Sequence, residues 1–456
     1  HAPLTSMYHR SREWFALQLA DFFNDPDFAK TIYLSNKTTK GVFNYDFYVA
    51  SPKILEEKLE SIIKVHGPEL THFSANYDQW RISVLHSGSG NNKTMVAMPY
   101  DSGKNHTHHD ALSLHLFAKG INVTPDYGYP PVNYGGWKTK EALWYKHPAA
   151  HNQVVVDGNR HVNMPPDGDG MFHRYPEHGQ NIMFCDGSFL KATYNSAPEY
   201  NDIKRNERLA AVIDTVDGDN YILDISRTNG GNVHARFLHG TYSDLTTSGL
   251  ILTPTGGYYP DDTILRNHKS DTTPNPAWSA DWKIYTDESH SPNKKNIHMK
   301  YTGLTEGVTV NTCESWVDIT RMVQTSNIRT GNKSVWIPTI YEMQKGPSTQ
   351  FTGILEVYEE QSSIISAKKL EKSGNTFTEA IEVVHSGNLT DVIIANDPDD
   401  KNVLTLAGHD IETDALLAVV RYDGDKLLKA AVCSGSFIEI NGTIYTAKTN
   451  NNIEFL

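Results

Sequence analysis

At 456 residues the chain is long enough for two or three domains and a large buried core. Its net charge of -13 argues against nucleic acid and anionic surfaces as general partners, and no apolar run approaches the roughly 20 residues that a membrane helix needs. Cys185, Cys313 and Cys433 are odd in number, far apart and free of any Cys-x-x-Cys pattern, so buried apolar thiols are expected rather than a disulfide framework.

The chain opens on His, so localisation cannot be read from its terminus. Tyr8, His9 and Arg10 are chemically suggestive but lead directly into a helix pattern. Residues 11–23 interleave Trp14, Phe15, Leu17, Leu19, Phe22 and Phe23 with charged positions, which predicts an amphipathic helix. Val42 to Val49 alternates as a strand would. Ser51-Pro52 supplies an N-cap and a first helical residue, Leu55, Leu59, Ile62 and Ile63 an apolar face, and Gly67-Pro68 a stop. Residues 1–70 therefore form a helical segment.

From about residue 71 short β-branched and aromatic runs alternate with Gly, Asn, Asp and Pro clusters. Val154-Val155-Val156 before Asp157-Gly158 is one such run. Val212 to Val216 and Tyr221 to Ile225 flank a turn at residues 217–220. The fold class is mainly β, with a large antiparallel β-sandwich over 71–345. Gly346-Pro347-Ser348 marks an expected boundary to a smaller C-terminal β domain, 346–456. There, Asp423-Gly424 and Asn441-Gly442 signal tight hairpins.

The densest chemistry is Asn105-His106-Thr107-His108-His109-Asp110, just before an apolar run. On a strand, His106, His108 and Asp110 would share one face and His109 the other. Asp126 and His151 follow at useful distances. Two imidazoles and a carboxylate are a common ligand set for Zn²⁺ or a similar divalent ion. Arg81, expected on the strand before this block, can pair with a carboxylate in bidentate fashion. His173 and Arg174, in Phe172-His173-Arg174-Tyr175-Pro176-Glu177-His178, form a basic and aromatic patch suited to pairing with carboxylates and to ring stacking. A surface role is the alternative for all three. Arg236 and His239 are assigned to the sandwich.

His106-x-His108-x-Asp110-Ala-Leu-Ser-Leu, Phe117-Ala-Lys-Gly120, Asp126-x-Gly128 and His151-Asn152 before Val154-Val-Val-Asp-Gly158 resemble the β-domain of the heparinase II/III-like polysaccharide lyases. Tyr221 to Arg227, Gly230-Gly231 and His239-Gly240 extend the likeness, which runs over about residues 73 to 360. The resemblance implies a lyase that cleaves beside a uronic acid by β-elimination, giving 4,5-unsaturated products, with alginate the first expectation. It implies that His106 is the catalytic histidine and that His108, Asp126 and His151 hold one divalent metal, expected to be zinc. It also implies a secreted or periplasmic bacterial enzyme. Members of the family carry a helical α/α toroid upstream, which supplies a catalytic Tyr and a carboxylate neutraliser. Residues 1–70 correspond to the end of such a toroid, so the rest is expected on an upstream segment or a separate chain. A non-catalytic carbohydrate-binding scaffold with a structural metal, or a metal-dependent glycan hydrolase, are the competing readings.

Overall fold

A computed structural model describes residues 10–45, 48–70, 72–100, 108–158, 183–187, 189–197, 203–259, 263–285, 296–318, 334–400, 403–446 and 453–455. The chain divides into two compact units, residues 1–73 and 74–456.

The first unit contains α1 (Arg10–Phe22), α2 (Asp27–Asn36) and α3 (Pro52–His66). Leu17, Ala20, Ala29, Ile32 and Leu59 bury their side chains together, as the apolar spacing requires. Ser51 is extended, Pro52 opens α3, and Gly67 ends it at φ +70 with its N–H on the Ile63 carbonyl. The strand expected over Val42 to Val49 is not found among its described residues. Val42 and Phe43, adjacent in sequence, are both buried in the helical core. Burial of neighbours on a connecting segment, rather than alternation between two faces, accounts for that apolar pattern.

The second unit is mainly β and, among its described residues, every strand pairing is antiparallel. A five-stranded sheet runs in order through β1 (Ala75–Tyr77), β2 (Ile82–Ser87), β3 (Thr94–Pro99), β4 (His115–Ala118) and β5 (Ile121–Asn122). Next in sequence comes α4 (Lys140–Lys146), then β6 (Val154–Val156). An eight-stranded sheet contains β7 (Met183–Asp186), β8 (Leu190–Ser196), β9 (Arg205–Asp214) and β10 (Asn220–Asn229), with Ser243–Ser248, Trp278–Ile284, Ile297–Gly303 and Ser348–Glu359. A six-stranded sheet pairs β6 with β11 (Val233–His239) and continues through Ser334–Lys345 and Thr309–Asp318.

The centre of the eight-stranded sheet is apolar on both faces, which explains its unbroken hydrophobic runs. Along β9, Ala210 and Val212 join one core with the five- and six-stranded sheets. Leu209, Ala211 and Ile213 join a second core with the C-terminal strands. That C-terminal sheet comprises Ile364–Lys369, Glu379–His385, Leu389–Ala395, Leu417–Asp423, Lys426–Cys433 and Ile453–Phe455. Its far face packs on a four-stranded sheet through Val392, Val420, Ile411 and Ile438.

Two expectations are corrected here. The boundary expected at residue 346 is a hairpin turn joining Ser334–Lys345 to Ser348–Glu359, and the latter strand pairs with β10 inside the sandwich. The C-terminal strands are a further layer on that sandwich, because the eight-stranded sheet has a second apolar face to cover. Cys185 and Cys433 are joined in a disulfide, Cα–Cα 6.1 Å, that ties β7 to this layer across 248 residues of sequence. Wide spacing in sequence had hidden a close approach in space. Cys313 is free and buried, as expected.

Candidate metal centre

Residues 108–112 lie at one end of the five-stranded sheet. There the Tyr100 N–H donates to the Arg81 carbonyl at 2.9 Å, and the Leu112 N–H donates to the Pro99 carbonyl at 2.6 Å. His108, His109 and Asp110 lie in a loop, not on the expected strand; β4 begins only at His115. His108 and Asp110 nevertheless turn to the same place. His109 is buried apart, its N–H on the Lys146 carbonyl and its own carbonyl held by the Gln153 amide.

Asp126 is fixed by its own turn. Its Oδ1 accepts the Gly128 N–H at 2.6 Å, and Gly128 sits at φ +86, where a side chain would be strained. Tyr127 between them is fully buried, its ring 4.7 Å from that of His239. This arrangement leaves Oδ2 free to face the imidazoles. His108 Nδ1 is 3.1 Å from it and His151 Nδ1 is 3.3 Å from it.

His151 is presented by α4 and the turn after it. Thr139 caps α4, its hydroxyl accepting the Ala142 N–H. Ala142, Trp144 and Tyr145 bury one face, and the Trp144 indole donates to the Trp316 carbonyl at 2.8 Å. The last turn of a helix leaves carbonyls without helical partners. Here the Tyr145 carbonyl lies 3.0 Å from His151 Nε2, and the Lys146 carbonyl takes the His109 N–H.

That pairing assigns the proton of His151. A carbonyl only accepts, so Nε2 carries the hydrogen and, in the neutral ring, Nδ1 carries the lone pair. A lone pair 3.3 Å from a carboxylate oxygen needs a proton or a cation between them. Burial pulls the His151 pKa down, but the Asp126 carboxylate outweighs it and the net shift is upward. Burial pushes Asp126 up, yet its contacts with His108 and His151 hold it well below the usual carboxylate range. The site therefore attracts positive charge.

A tetrahedral zinc ion with bonds of about 2.0–2.1 Å sets its ligand atoms roughly 3.3 Å apart. The 3.1 and 3.3 Å separations match that edge. Ligand atoms of His108, Asp110, Asp126 and His151 all lie within 4.8 Å of one another. The donor set fits a divalent ion in size, type and charge. Asp110 contributes a fourth donor atom, the second oxygen of the group.

Other expected residues fall elsewhere. Arg81 is not on the strand; it sits at φ +51 in the turn before β2, at the end of the sheet where residues 108–112 lie. His106, His173 and Arg174 lie outside the described residues, as do Tyr8, His9 and His178. Arg236 and His239 are buried on β11. Burial lowers the His239 pKa to about 4.

Two contributors were not foreseen. His115 opens β4 beside the cluster; burial lowers its pKa against the opposing pull of Asp126 and Asp110. Alternation along Ser113-Leu114-His115 was the available signal. Asn152 is fully used: its Oδ1 accepts the His239 N–H at 2.7 Å and its N–H donates to Ser113 Oγ.

Residues 74–179 match the family model described as "Heparinase II/III-like, C-terminal". No curated protein sequence matches the chain. Among solved structures, the heparan sulfate lyase HepC of Pedobacter heparinus aligns at 16% identity and a TM-score of 0.49, covering 84% of this chain and 58% of that one. A mutant of the same lyase aligns at 15% identity and 0.48, covering 81% and 48%. A heparinase III, the BT4657 gene product, aligns at 13% identity and 0.49, covering 73% and 44%. The chain spans about half the length of these structures.

Proposed function

With residues 74–179 matched to the heparinase II/III-like C-terminal family, we propose that this chain is the metal-bearing β portion of a uronate-specific polysaccharide lyase. The observation that carries the reading is the meeting of His108, Asp126 and His151 around one carboxylate oxygen, in a segment with that family match.

The reaction is a β-elimination. A base removes the proton on C5, α to the sugar carboxylate, and the 4-O group leaves to give a 4,5-unsaturated sugar. The C5 proton is very weakly acidic while the carboxylate keeps its full charge, so that charge must be met by hydrogen bonds or cations as the enolate-like state develops. His106, two residues from the cluster, is the proposed base, since a neutral imidazole suits proton transfer near pH 7. His108, Asp126 and His151 would hold zinc, which supplies fixed positive charge that orders the His loop and disfavours protonation of a neighbouring imidazole. Arg81, His173 and Arg174 are proposed to bind substrate carboxylates.

The leaving oxygen also needs a proton. Tyr127 and Tyr145 lie next to the cluster, but both are fully buried and burial pushes their pKa values far up. Neither reaches a polymer. An α/α toroid, upstream or on a second chain, is therefore proposed to supply the acid and the neutraliser. Alginate is the first proposed substrate because the sequence shows no strongly basic cluster suited to sulfate groups, and a secreted or periplasmic location follows from a polymeric substrate. Among the described residues no helix is long and apolar enough to cross a membrane.

The test is to incubate alginate and sulfated uronans with the chain, alone and with the toroid. Ultraviolet absorbance of a conjugated 4,5-unsaturated product is expected in the reconstituted reaction. New reducing ends without that absorbance would make the protein a hydrolase, and tight binding without either would make it a scaffold.

A further inference from the structure

Arg208 lies on β9, buried between the sheets, and its guanidinium is committed on three sides. Nε and Nη2 grip the two oxygens of Asp224 on β10, at 2.7 and 2.8 Å. Nη1 donates to the Leu112 carbonyl at 2.6 Å and also to the Asn152 carbonyl. Asp224 is itself anchored by Arg236 Nη1 at 2.9 Å, and Arg236 continues to Glu342 at 3.2 Å. Burial pushes the Asp224 pKa up, but Arg208 and Arg236 hold it below the usual range, so the clamp is ionic.

The two carbonyls are informative. Leu112 closes the loop that carries His108 and Asp110, at a left-handed φ of +66. Asn152 directly follows His151. The two ligand segments are thus joined by one planar cation that is fixed to the sandwich beneath them. We propose that Arg208 is a positioning residue of the metal centre, setting the separation of His108 and His151 through the backbone carbonyls of Leu112 and Asn152. The assignment rests on the metal reading above. A lysine could keep the charge opposite Asp224, but a single ammonium cannot hold a carboxylate fork and two carbonyls in one plane. Groups that hydrogen-bond metal ligands directly typically change affinity 10- to 100-fold when altered; Arg208 acts one step further out, through the backbone of Leu112 and Asn152.

The matched control is Arg421, which grips Asp391 through Nε and Nη2 at 2.7 Å each, in the C-terminal layer. Zinc affinity is measured by competition with a chromophoric chelator for the full chain, for Arg208→Lys and for Arg421→Lys, with circular dichroism as the check on folding. Zinc binding at least tenfold weaker in Arg208→Lys and unchanged in Arg421→Lys is expected. A double variant, Arg208→Met with Asp224→Leu, removes the pair as a unit, an exchange that buried ion pairs often tolerate. It should show the same loss of zinc in a folded chain, and it decides the matter if Arg208→Lys does not fold. Unchanged zinc affinity in the Arg208 variants, or an equal loss in Arg421→Lys, would overturn the assignment while leaving the metal reading intact. A wild-type chain that binds no zinc would overturn both.

Discussion

Nδ1 of His151 stands 3.3 Å from Oδ2 of Asp126, while its Nε2 faces the Tyr145 carbonyl at 3.0 Å. One buried ring is thereby fixed in orientation and tautomer by a helix C-terminus and turned toward a carboxylate. The same carboxylate oxygen receives His108 at 3.1 Å, so three donors from three separate segments share one point.

The first prediction concerns His106. Replacing it with Ala should lower elimination by 10²–10⁴-fold, the usual loss for a general base. Zinc content and the circular dichroism spectrum should stay as in wild type. Loss of zinc in that variant would place His106 among the ligands instead.

The disulfide gives a second. Cys185 and Cys433 join the eight-stranded sheet to the C-terminal layer, and Cys313 is free. Thiol titration of the unreduced, denatured chain should find one reactive thiol, and three after reduction. Cys185→Ser should cost about 2–4 kcal/mol in urea unfolding, the typical worth of a long-loop disulfide. Three thiols before reduction would show that the bond does not form.

Asp391 gives the third. It is fully buried, paired to Arg421 and hydrogen-bonded by the Tyr221 hydroxyl at 2.6 Å. Burial raises its pKa, but Arg421 and His385 bring it net below 3.8. A folded pKa below the unfolded one means stability that is fully present above the unfolded value and lost as pH falls through the folded value. Asp391→Asn leaves Arg421 buried without its counter-charge and should cost about 3–5 kcal/mol at pH 7. The gap between variant and wild type should narrow below pH 4. A gap that is constant down to pH 3 would contradict the ionic account.

Local signals were readable because local physics decides them. Ser51-Pro52 and Gly67 bound α3, and Asn441 and Gly442, at φ +50 and +74, make the two-residue hairpin turn that such a pair favours. His108, Asp126 and His151 stood out because few other roles use those side chains in that company. What escaped the sequence depends on partners distant along the chain. The Cys185–Cys433 bond spans 248 residues, and Gly346-Pro347 reads alike as a linker or a hairpin turn. Arg208 was invisible as a clamp because its targets near the site are backbone carbonyls, which every residue possesses. Val42 to Val49 misled because Val42 and Phe43, side by side on a connector, bury in the helical core and lend it the composition of a strand.

The most direct test of the account is the metal content of the chain, purified without chelator and measured by elemental analysis, for wild type and Asp126→Ala. About one equivalent of zinc per chain, from the three-ligand logic of such sites, is expected in wild type, and essentially none in a folded Asp126→Ala variant. A wild-type chain without divalent metal, or a variant that keeps its full equivalent, would contradict the claim that His108, Asp126 and His151 form a metal centre.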